Sequence, residues 1–133
     1  MTAPRPPLRS LTGRIAFALW LAAWLVLAWM LLSPRPPLAA AVSDKLAHFL
    51  AYLVMTAAAV SFASNRRALA TAALATLALA TLFELAQSLI PGRAFETGDL
   101  LANAGGTLAG YGLALGLLGL WTRQPAQDRR NAR

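Results

Sequence analysis

The sequence predicts an all-α integral membrane bundle of four transmembrane helices, with both termini on the cytoplasmic side. Three observations predict it. Of 133 residues, 58% are hydrophobic and only 13% charged, too few charges to clothe a soluble domain. Four apolar stretches, Ile15 to Leu32, Leu46 to Ala63, Ala68 to Ile90 and Leu100 to Trp121, each come near the ~20 residues that cross ~30 Å of hydrocarbon. The twelve basic residues also alternate in side. Arg5, Arg9 and Arg14 precede the first stretch, Arg66 and Arg67 join the second to the third, and Arg123, Arg129, Arg130 and Arg133 follow the fourth. Only Arg35, Lys45 and Arg93 fall on the other side, as the positive-inside rule requires of a chain with both ends inside.

The elements follow in order. Residues 1–12 set Pro4, Pro6 and Pro7 among arginines without an apolar period, which predicts a disordered tail ahead of a four-helix domain over 13–122. The first span, about 15–32, is longer than the roughly 7–15 residues of a leader core. It is therefore expected to be retained, although Ala39, Ala40 and Ala41 resemble a cleavage site. Trp29 and Trp121 fall near opposite boundaries as interfacial anchors, while Trp20 and Trp24, one turn apart, pack or face lipid. Ser33-Pro34-Arg35-Pro36-Pro37 cannot continue a helix, because proline lacks an amide donor and constrains its predecessor.

Ser43 or Asp44 can cap the second span, about 46–63, and a carboxylate in the first turn suits the helix dipole. Asn65-Arg66-Arg67 makes a tight turn that pairs it with the third span, about 68–90, as an antiparallel hairpin. Pro91-Gly92 ends that span, and Thr97, Gly98 and Asp99 begin the fourth, about 100–121. Gly106 with Gly110, and Gly112 with Gly116, have the small-xxx-small spacing that lets helix backbones approach closely, and this glycine face could also join copies of the chain into a homo-oligomer. Residues 123–133 are polar and basic, which predicts a second disordered tail.

Polar groups are expensive inside hydrocarbon, roughly 2.5–3.5 kcal/mol for Asp, Lys or Arg at mid-span on insertion scales, so their placement carries information. Asp44, His48, Tyr52 and Thr56 recur every four residues, along one helical face. Glu84, Gln87 and Ser88 form a second such group. Asp99, Asn103 and Thr107 form a third. The topology brings all three to one end of the bundle, where burying them together lets the carboxylates meet Lys45, His48 and Arg93 and lowers their desolvation penalty. Each residue also has a plainer use: Asp44 as a cap, His48 as a donor to a neighbouring helix, Arg93 as a snorkelling cation, Gln87 and Asn103 as partners for nearby groups.

The composition excludes several classes. No cysteine occurs, so disulfides and thiolate metal sites are excluded. The net charge of +7 lies in tails and connections rather than on one face, which argues against nucleic acid as a partner. Serine-elbow, phosphate-loop and HExxH patterns are absent, one histidine among dispersed acids gives no metal-ligand pattern, and no cofactor is expected.

Taken in order, Asp44-Lys45, His48-Phe49 and Tyr52, Glu84 with Gln87, Pro91-Gly92-Arg93, and Asp99 with Asn103 and Gly106 resemble the VanZ-like family of small membrane proteins, over roughly Ser43 to Leu118. The resemblance implies a multi-span protein of the bacterial cell envelope, in a family named after a member associated with resistance to the lipoglycopeptide teicoplanin. It marks Asp44, Lys45, His48, Tyr52, Glu84, Gln87, Arg93, Asp99 and Asn103 as site candidates and assigns them no individual roles.

The leading expectation is a cytoplasmic-membrane protein whose outward-facing polar pocket binds a lipid head group, a lipid-linked envelope precursor or an amphiphilic antibiotic of the lipoglycopeptide type. There Lys45 and Arg93 would meet phosphate or carboxylate. One alternative is an intramembrane enzyme acting on a lipid-linked substrate, with His48 or Glu84 as general acid or base and Arg93 stabilising developing negative charge. Another is a small channel or transporter protomer, which the apolar sequence beyond Thr56 and Thr107 disfavours.

Overall fold

The computed structural model describes residues 10–33 and 43–131, the last eleven of these as backbone only. The proline-rich connection, most of the N-terminal tail and the alanines of the leader-like site lie outside the described residues. Within them the chain is helical and contains no strand. The helices are α1 (Leu11–Leu32), α2 (Asp44–Ala58) with a 3-10 turn (Ala59–Ser61), α3 (Arg66–Gln87) and α4 (Thr97–Asn131).

Side-chain caps set three of the helix starts. Ser10 accepts the Gly13 N–H at 3.1 Å, Ser43 accepts that of Leu46 at 3.4 Å, and Asn65 accepts that of Ala68 at 2.9 Å, each satisfying an N–H that has no intrahelical partner. Of the two candidate caps for the second helix, Ser43 takes the role. Asp44 is thereby left in the first turn. After α3 the chain turns through Gly92, whose φ of +85° suits a residue without a Cβ, and Arg93 N–H donates to the Ile90 carbonyl at 3.0 Å.

Helices α1, α3 and the Thr97–Leu120 part of α4 are long and apolar enough to cross a membrane. The second expected span is shorter than its apolar sequence. Its α-helix has 15 residues, roughly 22 Å of rise, and it tightens into the 3-10 turn, where the Ser61 hydroxyl donates to the Ala58 carbonyl at 2.7 Å. The other departure is at the far end. Helix α4 runs to Asn131, so 123–131 is helical where the sequence predicts a disordered tail.

Helices α2 and α4 form the most intimate pair, and the cause is glycine. A Cβ at Gly106 would collide with the Phe49 carbonyl oxygen, and one at Gly110 with that of Leu53, so the two backbones touch there. The second glycine pair behaves differently: among the described residues nothing lies within 4 Å of a Cβ at Gly112 or Gly116. Beneath α2, Phe62, Leu69, Ala72, Ala114 and Leu118 make one core at the hairpin end. Trp24, Tyr52, Met55 and Ala80 make another, nearer the polar residues. Helix α1 lies against these through few buried side chains, with Phe17 edge-on to Phe62 at 5.2 Å and Trp20 donating its indole N–H to the Met55 carbonyl at 2.8 Å. Leu25, Leu89 and Leu108 point outward, at least 70% exposed, as a surface solvated by acyl chains requires.

Candidate functional site

The antiparallel order of the helices puts the end of α1, the start of α2, the end of α3 and the start of α4 at one end of the bundle, and the polar stripes meet there. On α2, His48, Tyr52 and Thr56 are buried, with Asp44 exposed at the rim. On α4, Asp99, Asn103 and Thr107 are buried. On α3 the buried face runs Ala72, Thr76, Ala80, Glu84 and then Gln87, whereas Ser88 is exposed and donates to the Leu85 carbonyl at 2.7 Å. The four-residue spacing thus identifies these buried faces, since residues four apart on a helix share a side. Ser88 does not belong to them.

The structure sorts the nine candidates into three groups. Five lie between α2 and α4. His48 Nδ1 and Asn103 Oδ1 are 2.9 Å apart in a buried hydrogen bond. Because the amide oxygen can only accept, Nδ1 is the donor, and in the neutral ring Nε2 is then the nitrogen with the lone pair. That second nitrogen faces Asp44 Oδ1 at 3.9 Å. Above it Lys45 Nζ sits 3.6 Å from Asp99 Oδ1 and donates to Glu96 Oε2 at 2.9 Å.

Glu96 is a site residue that the sequence does not announce. It lies in the α3–α4 connection, off any helical face, and the only cue is an acid close before Asp99. Its Lys45 hydrogen bond holds the Glu96 carboxyl below the ordinary carboxylate range, and the same bond, with the Asp99 charge behind it, raises the Lys45 ammonium.

A second group, Tyr52 and Glu84, lies one level deeper. The Tyr52 ring is fully buried, 6.4 Å from the His48 ring and 6.2 Å from Trp24. Glu84, 1% exposed, uses Oε1 to accept the Glu96 backbone N–H at 3.1 Å.

Gln87 and Arg93 form the third group: Gln87 serves a nearby backbone group, as its plainer reading expects, whereas Arg93 does not join the carboxylates. Arg93 forms no ion pair with Glu84 or any other carboxylate among the described residues. Its Nη1 donates instead to the carbonyls of Leu31 at 3.0 Å and Ser33 at 3.2 Å. Gln87 Nε2 also donates to the Leu31 carbonyl, at 3.0 Å. These are the carbonyls that the last turn of a helix leaves without intrahelical partners. The pair therefore ties down the end of α1, and the positive charge suits that end of the helix dipole.

Several buried polar atoms have no partner among the described residues: His48 Nε2, Asp99 Oδ1 and Asn103 Nδ2 at the α2–α4 seam, Tyr52 Oη and Glu84 Oε2 below it, and the hydroxyls of Thr56, Thr76 and Thr107. Each such group costs on the order of 1–3 kcal/mol when left unmatched. The charged and amide groups among them lie at one end, and the three threonine hydroxyls lie deeper, toward the apolar core.

A family model described as VanZ/LLP1 matches residues 8–120, which covers α1 to α3, the Thr97–Leu120 part of α4 and every candidate residue. No curated protein and no solved structure matches the chain.

Proposed function

The chain belongs to the VanZ/LLP1 family, and on that premise we propose that it is a membrane protein of the bacterial cell envelope whose polar end binds the head group of an anionic amphiphile. The ligand class is a lipid, a lipid-linked envelope precursor or a lipoglycopeptide-type antibiotic. Three helices able to span a bilayer support the setting. The asymmetric distribution of arginine supports a cytoplasmic membrane with both termini inside, so that the polar end faces outward and α2 makes the fourth crossing.

The observation that carries the binding reading is the position of Lys45. Its side chain is 57% exposed, yet it stands directly over buried Asp99, with His48 beneath. An ammonium at the mouth of a buried polar seam is placed to receive phosphate or carboxylate, while the leucine-covered helix faces accept acyl chains. With Arg93 engaged by α1, Lys45 is the cation best placed for this contact.

Native mass spectrometry of protein extracted from its own membrane tests the reading. An anionic amphiphile is expected to stay bound, and Lys45→Gln is expected to reduce its occupancy at least about tenfold without changing the unfolding midpoint. Equal occupancy in wild type and variant would overturn it.

A further inference from the structure

We propose that Asp44, His48 and Asp99 form a binding site for one divalent transition cation of the zinc class. One candidate donor atom from each residue lies within 4.8 Å of the other two. A tetrahedral site with bonds of about 2.0–2.2 Å needs donors roughly 3.4 Å apart. Small rotations of the two aspartates close that difference, and Asp44 is free to turn because its side chain is 57% exposed.

The acids alone would not make a site; the histidine does. His48 is 3% exposed, and its Nε2 has no hydrogen-bond partner among the described residues while it lies 3.9 Å from Asp44 Oδ1. The Asn103 bond to Nδ1 fixes the tautomer that leaves Nε2 as a lone-pair donor. That is the outer-shell arrangement that orients metal-binding imidazoles. Asp99 Oδ1, also buried, has no hydrogen bond among the described residues and stands 3.6 Å from Lys45 Nζ. Glu96 and Asp99 flank the Lys45 ammonium while Asp44 faces His48, so three carboxylates stand against one ammonium at this end and the local balance favours an added cation.

One imidazole with two carboxylates selects a first-row metal over Ca2+ or Mg2+, which prefer oxygen alone. With three protein ligands the fourth position stays open, as in zinc sites that exchange a ligand.

The site does not depend on the head-group reading, and Lys45 separates the two. The test uses the untagged full chain in detergent micelles, titrated with Zn2+ by calorimetry and with Co2+ by visible absorption. The expected result is one saturable Zn2+ per chain, an intense tetrahedral Co2+ spectrum that Zn2+ abolishes, and a rise in unfolding midpoint with Zn2+. Asp44→Asn, at an exposed position that leaves the fold undisturbed, should weaken binding at least about tenfold, and His48→Gln should remove the Co2+ spectrum. Asn103→Leu should weaken affinity about 10–100-fold, as the loss of an orienting partner does. Lys45→Gln should retain or tighten Zn2+ binding even though it weakens the amphiphile. Absence of saturable Zn2+ binding overturns the proposal, as does binding that survives in both Asp44→Asn and His48→Gln.

Discussion

Glu84 Oε1 accepts the backbone N–H of Glu96 at 3.1 Å, so an acid buried in α3 fixes the loop that carries the Lys45 partner. The α3–α4 connection is thereby tied from inside the bundle, and one carboxylate positions another without touching its charge. Glu84→Ala should leave that part-buried N–H unmatched, at about 1–3 kcal/mol, and speed its amide exchange roughly 10–100-fold. Glu84→Gln keeps an acceptor and should stay near wild type. Hydrogen exchange at Glu96 measures both; equal protection in Glu84→Ala would show that the bond does not order the loop.

The Lys45–Glu96 pair sets a pH window. The folded Glu96 carboxyl titrates below its ordinary 4.5, so its contribution is present above that value and is lost as pH falls through the lowered one. The folded Lys45 titrates above its ordinary 10.5, so its contribution is present below that value and is lost as pH rises through the raised one. Between these limits the contact should be constant, and its effect small and weakened by salt because both groups are exposed. A crosslink from a cysteine at 45 to one at 96 is unsuitable here, since it removes both charges. NMR titration of the Glu96 carboxyl carbon is the direct measurement, and a midpoint at or above 4.5 would rule the pairing out.

The helix seam predicts a sharp contrast between glycines. Gly106→Ala and Gly110→Ala force carbonyl oxygens of α2 away and should destabilise by about 1–3 kcal/mol, as overpacking does. Gly112→Ala meets open space and should be neutral or slightly stabilising through helix propensity. Unfolding by SDS titration in mixed micelles compares them. Equal effects at 106 and 112 would contradict the close approach.

The anchoring of α1 predicts coupling between two donors. Arg93→Ala and Gln87→Ala each remove a hydrogen bond to the Leu31 carbonyl, worth about 0.5–1.5 kcal/mol for the amide and about 1.5–3 for the cation. Because they share an acceptor, the double variant should depart from additivity by at least about 0.5 kcal/mol. A double-variant cycle in the same micelles reads this, and strict additivity would mean that the carbonyl is not shared.

Helix order and most buried polar faces are legible in the sequence because both rest on period. Asp44, His48, Tyr52 and Thr56 share one side whatever lies opposite them. Partnerships are less legible, since they depend on side-chain reach. Arg93, expected among the acids, turns to the end of α1, because unpaired carbonyls at a helix terminus attract a guanidinium as well as a carboxylate does. Glu96 escapes a periodic reading because it lies on no helix. The metal-type grouping of Asp44, His48 and Asp99 escapes a spacing rule because its members come from two helices separated by the whole of α3. Helix lengths fail at the edges: hydropathy continues to Ala63 while α2 gives way to a 3-10 turn, and polarity begins at 122 while α4 continues.

Gly106 rests on the Phe49 carbonyl, one residue from His48 and three from Asn103. Main chain therefore bears on main chain beside the imidazole, and no flexible methylene stands between them to absorb a displacement. The seam therefore acts as a gauge block for the spacing of the two main chains that carry His48 and Asn103.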